Sequence, residues 1–281
     1  MNSIKILATG AGSPGAGSIF KSFRLGAKEE GRKVEIVAVD MEKLSYGFHL
    51  ADKYYVIPPA KSPDFLDKIL ELCEREKPDL LFSWVDPELV PLAENRKVFE
   101  SVGTKVVLSS AEALKIAGNK IKCYEKISDL GYAPKFVFAN TVDDIEKAAK
   151  KLGSPEKTVC YKPEVAHGSR GFRIIMPNVS RADLLFNEKP TNIFTTLEET
   201  KQILSGYKNM PNMMVMEYLN GLEGKEYSLD ILVDDNGPIV SSNLLWAVIV
   251  QDDIPYPIQS LTIYSVVLRS ILGYLDGCQL S

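Results

Sequence analysis

The sequence predicts an α/β protein, with a Rossmann-like parallel sheet over residues 1–110 and a two-lobed α+β region after it. Three observations carry this. Short apolar runs alternate with helical patterns as far as Leu108, the arrangement of strands joined by crossover helices. A helix-start signal, Ser109-Ser-Ala-Glu112, then opens a new unit. From Met213 the strands lengthen, and Asp234-Asp-Asn-Gly237 marks a hairpin between two of them.

The elements follow in order. Strands are expected at Ile4–Ala8, Val34–Asp40, Lys53–Ile57, Leu80–Trp84 and Lys105–Leu108. Helices intervene at Ser18–Glu30, Asp64–Glu76 and Glu88–Ser101; in the second, Phe65, Ile69, Leu72 and Cys73 share one face at helical spacing. The next region, 111–190, is expected to form a first lobe. It holds a helix Asn119–Leu130 ended by Gly131, a strand Lys135–Phe138 and a helix capped by Thr141 and Asp144 with the apolar stripe Ile145, Ala148, Ala149 and Leu152. Strands Thr158–Lys162 and Phe172–Met176 flank a glycine-rich loop from Pro163 to Gly171. The second lobe, 191–281, contains strands Met213–Leu219, Tyr227–Val233 and Ile239–Leu245 and a helix Ile263–Leu272, while Asn187–Asn212 carries no clear period.

Composition narrows the function. Lys plus Arg (33) nearly balances Asp plus Glu (37), no basic block occurs, and nucleic acid is therefore excluded as a partner, since phosphate neutralisation needs a basic surface. Cys73, Cys123, Cys160 and Cys278 are far apart, which signals neither zinc nor a disulfide framework. His49 and His167 are too few for an imidazole-rich centre, leaving oxygen-ligated magnesium as the metal to expect. The longest apolar run, Leu244–Val250, is too short for a bilayer and Met1 leads directly into Ile4–Ala8, so a cytoplasmic protein without membrane contact is expected.

Two glycine-rich segments compete for the chemistry. Gly10-Ala-Gly-Ser-Pro-Gly15 follows a strand and precedes a helix, as a dinucleotide fingerprint does, but Asp40 lies farther on than the usual ~20 residues, and the turn can equally serve only to carry the chain over the sheet edge. The second constellation is ordered. Tyr161-Lys-Pro163 ends a strand with an ammonium, His167-Gly-Ser-Arg-Gly171 is small enough to fold over phosphates with Arg170 as an added cation, and Asn119-Lys120 opens a helix with a second ammonium. Each lysine alone reads as a solvated surface charge; together they point to a polyanion. Met216-Glu-Tyr-Leu219 could border an adenine, and Glu226 could accept from ribose hydroxyls, although either carboxylate could be an ordinary strand residue.

On these motifs, together with Lys225-Glu-Tyr-Ser-Leu-Asp230 and Asp86-Pro-Glu-Leu-Val90, the chain resembles the ATP-grasp superfamily, and within it the carbamoyl-phosphate synthase large-subunit group, over Ile4–Gln279. The resemblance implies a pre-ATP-grasp domain before two clamping lobes. It implies that Lys120 and Lys162 contact ATP phosphates, that Gly168, Ser169 and Gly171 form a lid, that Glu217 and Leu219 border adenine, and that Glu226 holds ribose. It further implies Mg-ATP-dependent C–N bond formation from a small carboxylate and an amine or ammonia through an acylphosphate, with room for a homodimer. The family's Glu-x-Asn strand does not occur before Ser281; the resemblance offers Gln279 for the first metal-ligand position, with Asp276, Asp252 and Asp253 as the available carboxylates, and Ser241–Val250 lacks the family's arginine. A nucleotide-binding relative with an incomplete clamp is the alternative, and an NAD-binding Rossmann protein the third reading.

Overall fold

The computed structural model describes residues 3–128, 130–131, 133–166, 170–178, 180–187 and 193–219, and the backbone of four later strands, 225–228, 232–234, 237–239 and 245–248. The chain divides into two units, one comprising Met1–Ala111 with Gly221–Ser281 and the other Glu112–Asn220.

In the first unit, β1 (Ser3–Thr9), β2 (Lys33–Asp40), β3 (Lys53–Val56), β4 (Leu80–Phe82) and β5 (Lys105–Val106) form a parallel sheet in the order β3-β2-β1-β4-β5. Both faces are covered, which explains the nearly continuous apolar runs of β1 and β2. Ile4, Ile6, Ala8, Ile36 and Ala38 pack against Ile19, Phe20 and Phe23 of α1 (Ala16–Glu29). Leu7, Val37, Val39 and Leu81 meet Phe65, Ile69, Leu72 and Cys73 of α2 (Phe65–Glu76), so the stripe expected on that helix is core. A short 3-10 turn, Tyr46–Leu50, lies between β2 and β3.

The helix expected over Glu88–Ser101 is two helices, α3 (Asp86–Glu94) and α4 (Arg96–Ser101). Asn95 causes the break: its side-chain amide competes with its own backbone N–H for the Pro91 carbonyl (2.9 and 3.2 Å).

In the second unit, α5 (Ala111–Ala117) and α6 (Lys120–Ser128) precede β6 (Phe136–Ala139), α7 (Val142–Lys151), β7 (Val159–Pro163), β8 (Arg173–Ile175), α8 (Arg181–Asn187), β9 (Phe194–Thr195), α9 (Leu197–Ser205) and β10 (Met213–Glu217). The sheet order is β6-β10-β7-β8-β9, with β10 antiparallel to both neighbours. The sheet therefore runs on past residue 190, where the sequence suggested a lobe boundary, because β10 inserts between strands that precede it by more than fifty residues. Thr141 and Asp144 form the expected capping box of α7. A second box, Thr196 with Glu199, starts α9 inside the stretch that showed no period, and its Thr-Leu-Glu-Glu pattern is a readable start signal.

Of the later strands, β12 (Leu232–Asp234) and β13 (Gly237–Ile239) make the hairpin expected at Asp234–Gly237, and β11 (Lys225–Ser228) pairs antiparallel with β14 (Leu245–Val248). The strand expected over Met213–Leu219 ends at Glu217, whereas residues 229–231 and 240–244 of the other two expected strands lie outside the described residues. The helix expected at 263–272 lies outside the described residues.

Two local features invite tests. At the start of the parallel sheet, buried Glu76 accepts from Lys53 Nζ at 2.8 Å and Tyr55 Oη at 2.5 Å, and Lys5 and Lys53 both bridge to Glu35 at 3.3 Å. The Lys53 and Tyr55 hydrogen bonds hold the Glu76 carboxyl below its ordinary value of 4.5. A depressed pKa stabilises the fold above the unfolded value, and that contribution disappears as pH falls through the folded one. Glu76→Ala is expected to lower unfolding free energy in urea by about 1 kcal/mol near neutral pH, a modest amount because Lys53 is half in water and keeps Glu35. The gap to the native protein should narrow as the pH drops below 4.5.

At the far side of the glycine loop, Gly171 has φ +76°, and a Cβ there would sit 2.6 Å from Pro163 Cγ. Left-handed backbone costs a side-chain-bearing residue ~1–2 kcal/mol before any clash. Gly171→Val should therefore destabilise the second unit by about 2 kcal/mol or more in a denaturant melt, and retention of native stability would contradict this geometry.

Candidate functional site

The strand β7 sets which side chains face which way. Val159 and Tyr161 point to the α7/α9 core with Val215 and Ile175, whereas Cys160 points to the opposite face with Ile174, Met214 and Met216, where Ile121 and Tyr124 of α6 cover it. Strand alternation sends Lys162 to the same face as Cys160. Its ammonium lies 4.8 Å from the centre of the Tyr124 ring and 3.3 Å from the Tyr124 hydroxyl.

Lys120 stands one helical turn before Tyr124, on the same side of α6. Its Nζ donates to the Ala166 carbonyl at 2.7 Å, and its backbone N–H donates to the Glu164 carbonyl at 3.0 Å. The two lysines that the sequence singled out thus both flank the first residues of the glycine loop, along one face of α6. Arg170 is exposed beside Gly171 at the loop's end. His167, Gly168 and Ser169 lie outside the described residues.

Asn119, which the sequence singled out with Lys120, and two residues that sequence reasoning missed, Glu164 and Asn212, organise this corner. Asn119 Oδ1 accepts from the Lys122 N–H at 3.0 Å, capping α6, while its Nδ2 donates to Glu164 Oε1 at 2.6 Å. Asn212 Nδ2 donates to Glu164 Oε2 at 2.8 Å, and Glu164 N–H donates to the Asn212 carbonyl at 2.8 Å. The Asn119 and Asn212 hydrogen bonds lower the Glu164 pKa. Glu164 lies beside the Lys-Pro pair in sequence, but its partners are 45 and 48 residues away, and no local pattern announces them.

Glu217 is held within the sheet by a partner far from it in sequence. Its Oε1 accepts from the Lys135 N–H at 2.9 Å and its own N–H donates to the Lys135 carbonyl at 3.0 Å, a reciprocal pair that closes the β6–β10 ladder. It also borders a cavity of about 480 Å³ lined by Ile174, Met176, Phe194, Tyr218 and Thr158. Its walls mix aliphatic and aromatic side chains with the polar Lys157, Thr158 and Glu217. Leu219 is exposed, 65% of its surface meeting solvent. Glu226 lies in β11 opposite Ala247, and Gln279 falls outside the described residues.

In the first unit, β1 and β4 are neighbours from which the chain runs in opposite directions across the sheet, so their carboxyl ends form a topological switch point, the usual ligand crevice of such sheets. Gly10, at φ +74°, lets the loops meet: a Cβ there would lie 2.6 Å from Val85 Cγ2. Trp84 Nε1 donates to Ser13 Oγ at 2.7 Å. The Gly12 N–H donates to Asp40 Oδ2 (2.7 Å) and the Glu42 N–H to Asp40 Oδ1 (2.9 Å), while the Tyr46 hydroxyl accepts from the Gly17 N–H (3.0 Å). The carboxylate and amides that a dinucleotide would need are engaged with one another, which favours the chain-turning reading of this segment.

Beside the turn, buried Glu88 accepts from Ser83 Oγ at 2.9 Å, and burial raises its pKa. Thr9, also buried, lies on the same side and its hydroxyl opposes that rise.

Burial holds the Cys73 and Cys160 thiols up at about 11, so both are inert packing groups. Among the described residues no cluster of three or more His, Cys, Asp or Glu side chains could hold a metal, and no helix is long and apolar enough to cross a membrane.

Comparison with known proteins bears on both units. The family described as PylC-like, N-terminal domain, matches residues 6–107. The formate-dependent phosphoribosylglycinamide formyltransferase of Methanococcus vannielii is 30% identical over 60% of this chain and 40% of its own length. Its counterpart from Pyrococcus horikoshii is 28% identical over 85% of this chain and 48% of its own. The chain thus spans less than half the length of these two relatives.

Among solved structures, N5-carboxyaminoimidazole synthetase from Staphylococcus aureus complexed with ADP superposes with a TM-score of 0.55 at 16% identity, over 83% of this chain and 52% of that one. The biotin carboxylase domain of Hydrogenobacter thermophilus 2-oxoglutarate carboxylase, in complex with MgADP, ADP and bicarbonate, gives 0.52 at 19% identity, over 83% of this chain and 47% of that one. With a parallel switch-point sheet followed by a second sheet that brings two lysines to the root of a glycine loop, the chain shares the fold of these two structures over most of its length.

Proposed function

We propose that this chain binds ATP with its phosphates against Lys120 and Lys162, and that it serves an ATP-dependent ligase that joins a small carboxylate to an amine or ammonia. The observation that carries the reading is the placement of both ammoniums along one face of α6, at the root of the glycine loop. Two cations held apart by packed elements, each on a half-buried stem, suit a polyphosphate better than a single carboxylate.

The residues present fit the nucleotide. Lys162 is pre-positioned by the Tyr124 ring rather than by a carboxylate, so no internal anion competes for it in that contact. The cavity beside Glu217 and Tyr218 has walls for the base, and Gly168, Ser169 and Gly171 are the loop residues assigned to cover the phosphates. In this reading Arg170, exposed beside Gly171, adds a cation.

When bound, Mg-ATP supplies a phosphoryl group that activates the carboxylate for attack by the amine. The protein's contribution is position and charge: Lys120 and Lys162 neutralise phosphate oxygens, and the loop excludes water.

The names of the relatives support small-acid chemistry: one is formate-dependent and another is a carboxyaminoimidazole synthetase. They favour ligases of that kind over a carbamoyl-phosphate synthase. Magnesium is part of the proposal through the MgADP complex of one structural neighbour.

Lys162→Ala is expected to weaken Mg-ATP binding in calorimetry by ~10-fold or more, the worth of one charge-assisted hydrogen bond. Unfolding free energy should fall by only about 1 kcal/mol, the worth of its stacking on Tyr124. Equal affinity in the two proteins would remove the reading. ADP release assayed over a panel of small carboxylates with ammonia or amines then tests the ligase assignment.

A further inference from the structure

We propose that Glu164 is a positioning residue for nucleotide phosphates, acting as a clasp that holds the lysine-bearing ends of α6 and β7 in register. The inference rests on the ATP-binding reading above.

Glu164 follows β7 directly, two residues beyond Lys162, and four of its polar groups are engaged at once. Its carboxylate accepts from Asn119 Nδ2 at 2.6 Å and from Asn212 Nδ2 at 2.8 Å. Its carbonyl accepts from the Lys120 N–H at 3.0 Å, and its N–H donates to the Asn212 carbonyl at 2.8 Å. One residue thereby ties together the start of α6, the end of β7 and the segment that leads into β10.

The chemistry of the partners matters as much as their number. Both side-chain partners are neutral amides, so they satisfy the carboxylate without using a lysine. The Asn119 amide is oriented from both ends, since its Oδ1 is committed to the Lys122 N–H. Lys120 is then anchored twice, through its backbone to Glu164 and through Nζ to the Ala166 carbonyl two residues further on. Loosening this corner lets α6 shift against β7 and moves one ammonium relative to the other. A polyphosphate that spans both would feel the loss, because binding then has to restore the geometry. A nucleoside without phosphates would not.

The test compares full-length wild type, Glu164→Ala and Glu164→Gln. Mg-ATP affinity is measured by calorimetry, adenosine binding by ligand-observed NMR, and stability by thermal melt. Glu164→Ala is expected to bind Mg-ATP ~10-fold more weakly and adenosine unchanged within about twofold. Glu164→Gln keeps one acceptor oxygen and can pair its amide with a flipped Asn212, so most of the affinity should return. Adding Asn119→Ala to Glu164→Ala should cost little more, since the two act as a unit.

Undiminished Mg-ATP affinity in Glu164→Ala would overturn the clasp, as would equal proportional losses for ATP and adenosine, the mark of a merely structural role. Absence of Mg-ATP binding by the wild type would instead remove the nucleotide reading on which the clasp depends.

Discussion

The antiparallel register of β7 on β10, with Tyr161 opposite Val215 and Lys162 opposite Met214, governs the second unit. Because side chains alternate along a strand, this register sends Tyr161 into the core under α7 and α9 and Lys162 to the face covered by α6. A slip of one residue would bury the ammonium among Ile145, Ala149 and Val215 and turn Tyr161 outward, so the apolar demands of one face protect the position of the cation on the other. The central place of β10, paired on both edges, makes that register hard to lose.

A different economy operates in the first unit. Its parallel sheet is sealed on both faces, and polar chemistry is confined to the strand ends. At one end lies the ion-pair network of Lys5, Glu35, Lys53 and Glu76. At the other, the glycine turn is braced by Asp40, Tyr46 and Trp84, and Glu88 is buried beside it. The separation follows from burial: within the covered strands an uncompensated charge would have no solvent or partner.

Much of this was readable in advance. The apolar runs of β1 and β2 and the stripe Phe65, Ile69, Leu72 and Cys73 announce the parallel sheet and its covering helix, since period and burial are local properties of the chain. The order of Lys120, Lys162 and the loop that starts at Pro163 singled out two side chains that the structure brings to one face of α6. The Thr141 box precedes a clear apolar stripe and is legible in the sequence, whereas the equivalent Thr196 box lies where the surrounding residues carry no apolar period. The broken helix at Asn95 was not foreseen, because a side-chain amide competing for one carbonyl leaves the hydrophobic pattern intact.

By itself, then, the amino-acid order determined the element types, the alternating architecture and which cations to watch, all of which depend on neighbours within a few positions. Only the folded chain decided that β10 lies between β6 and β7, that Glu217 closes a ladder onto Lys135, that Asp40 engages the Gly12 amide, and that Glu164 gathers Asn119 and Asn212. Those contacts join residues 28 to 82 positions apart, and a hydrogen bond of that kind leaves no period or spacing behind it in the sequence.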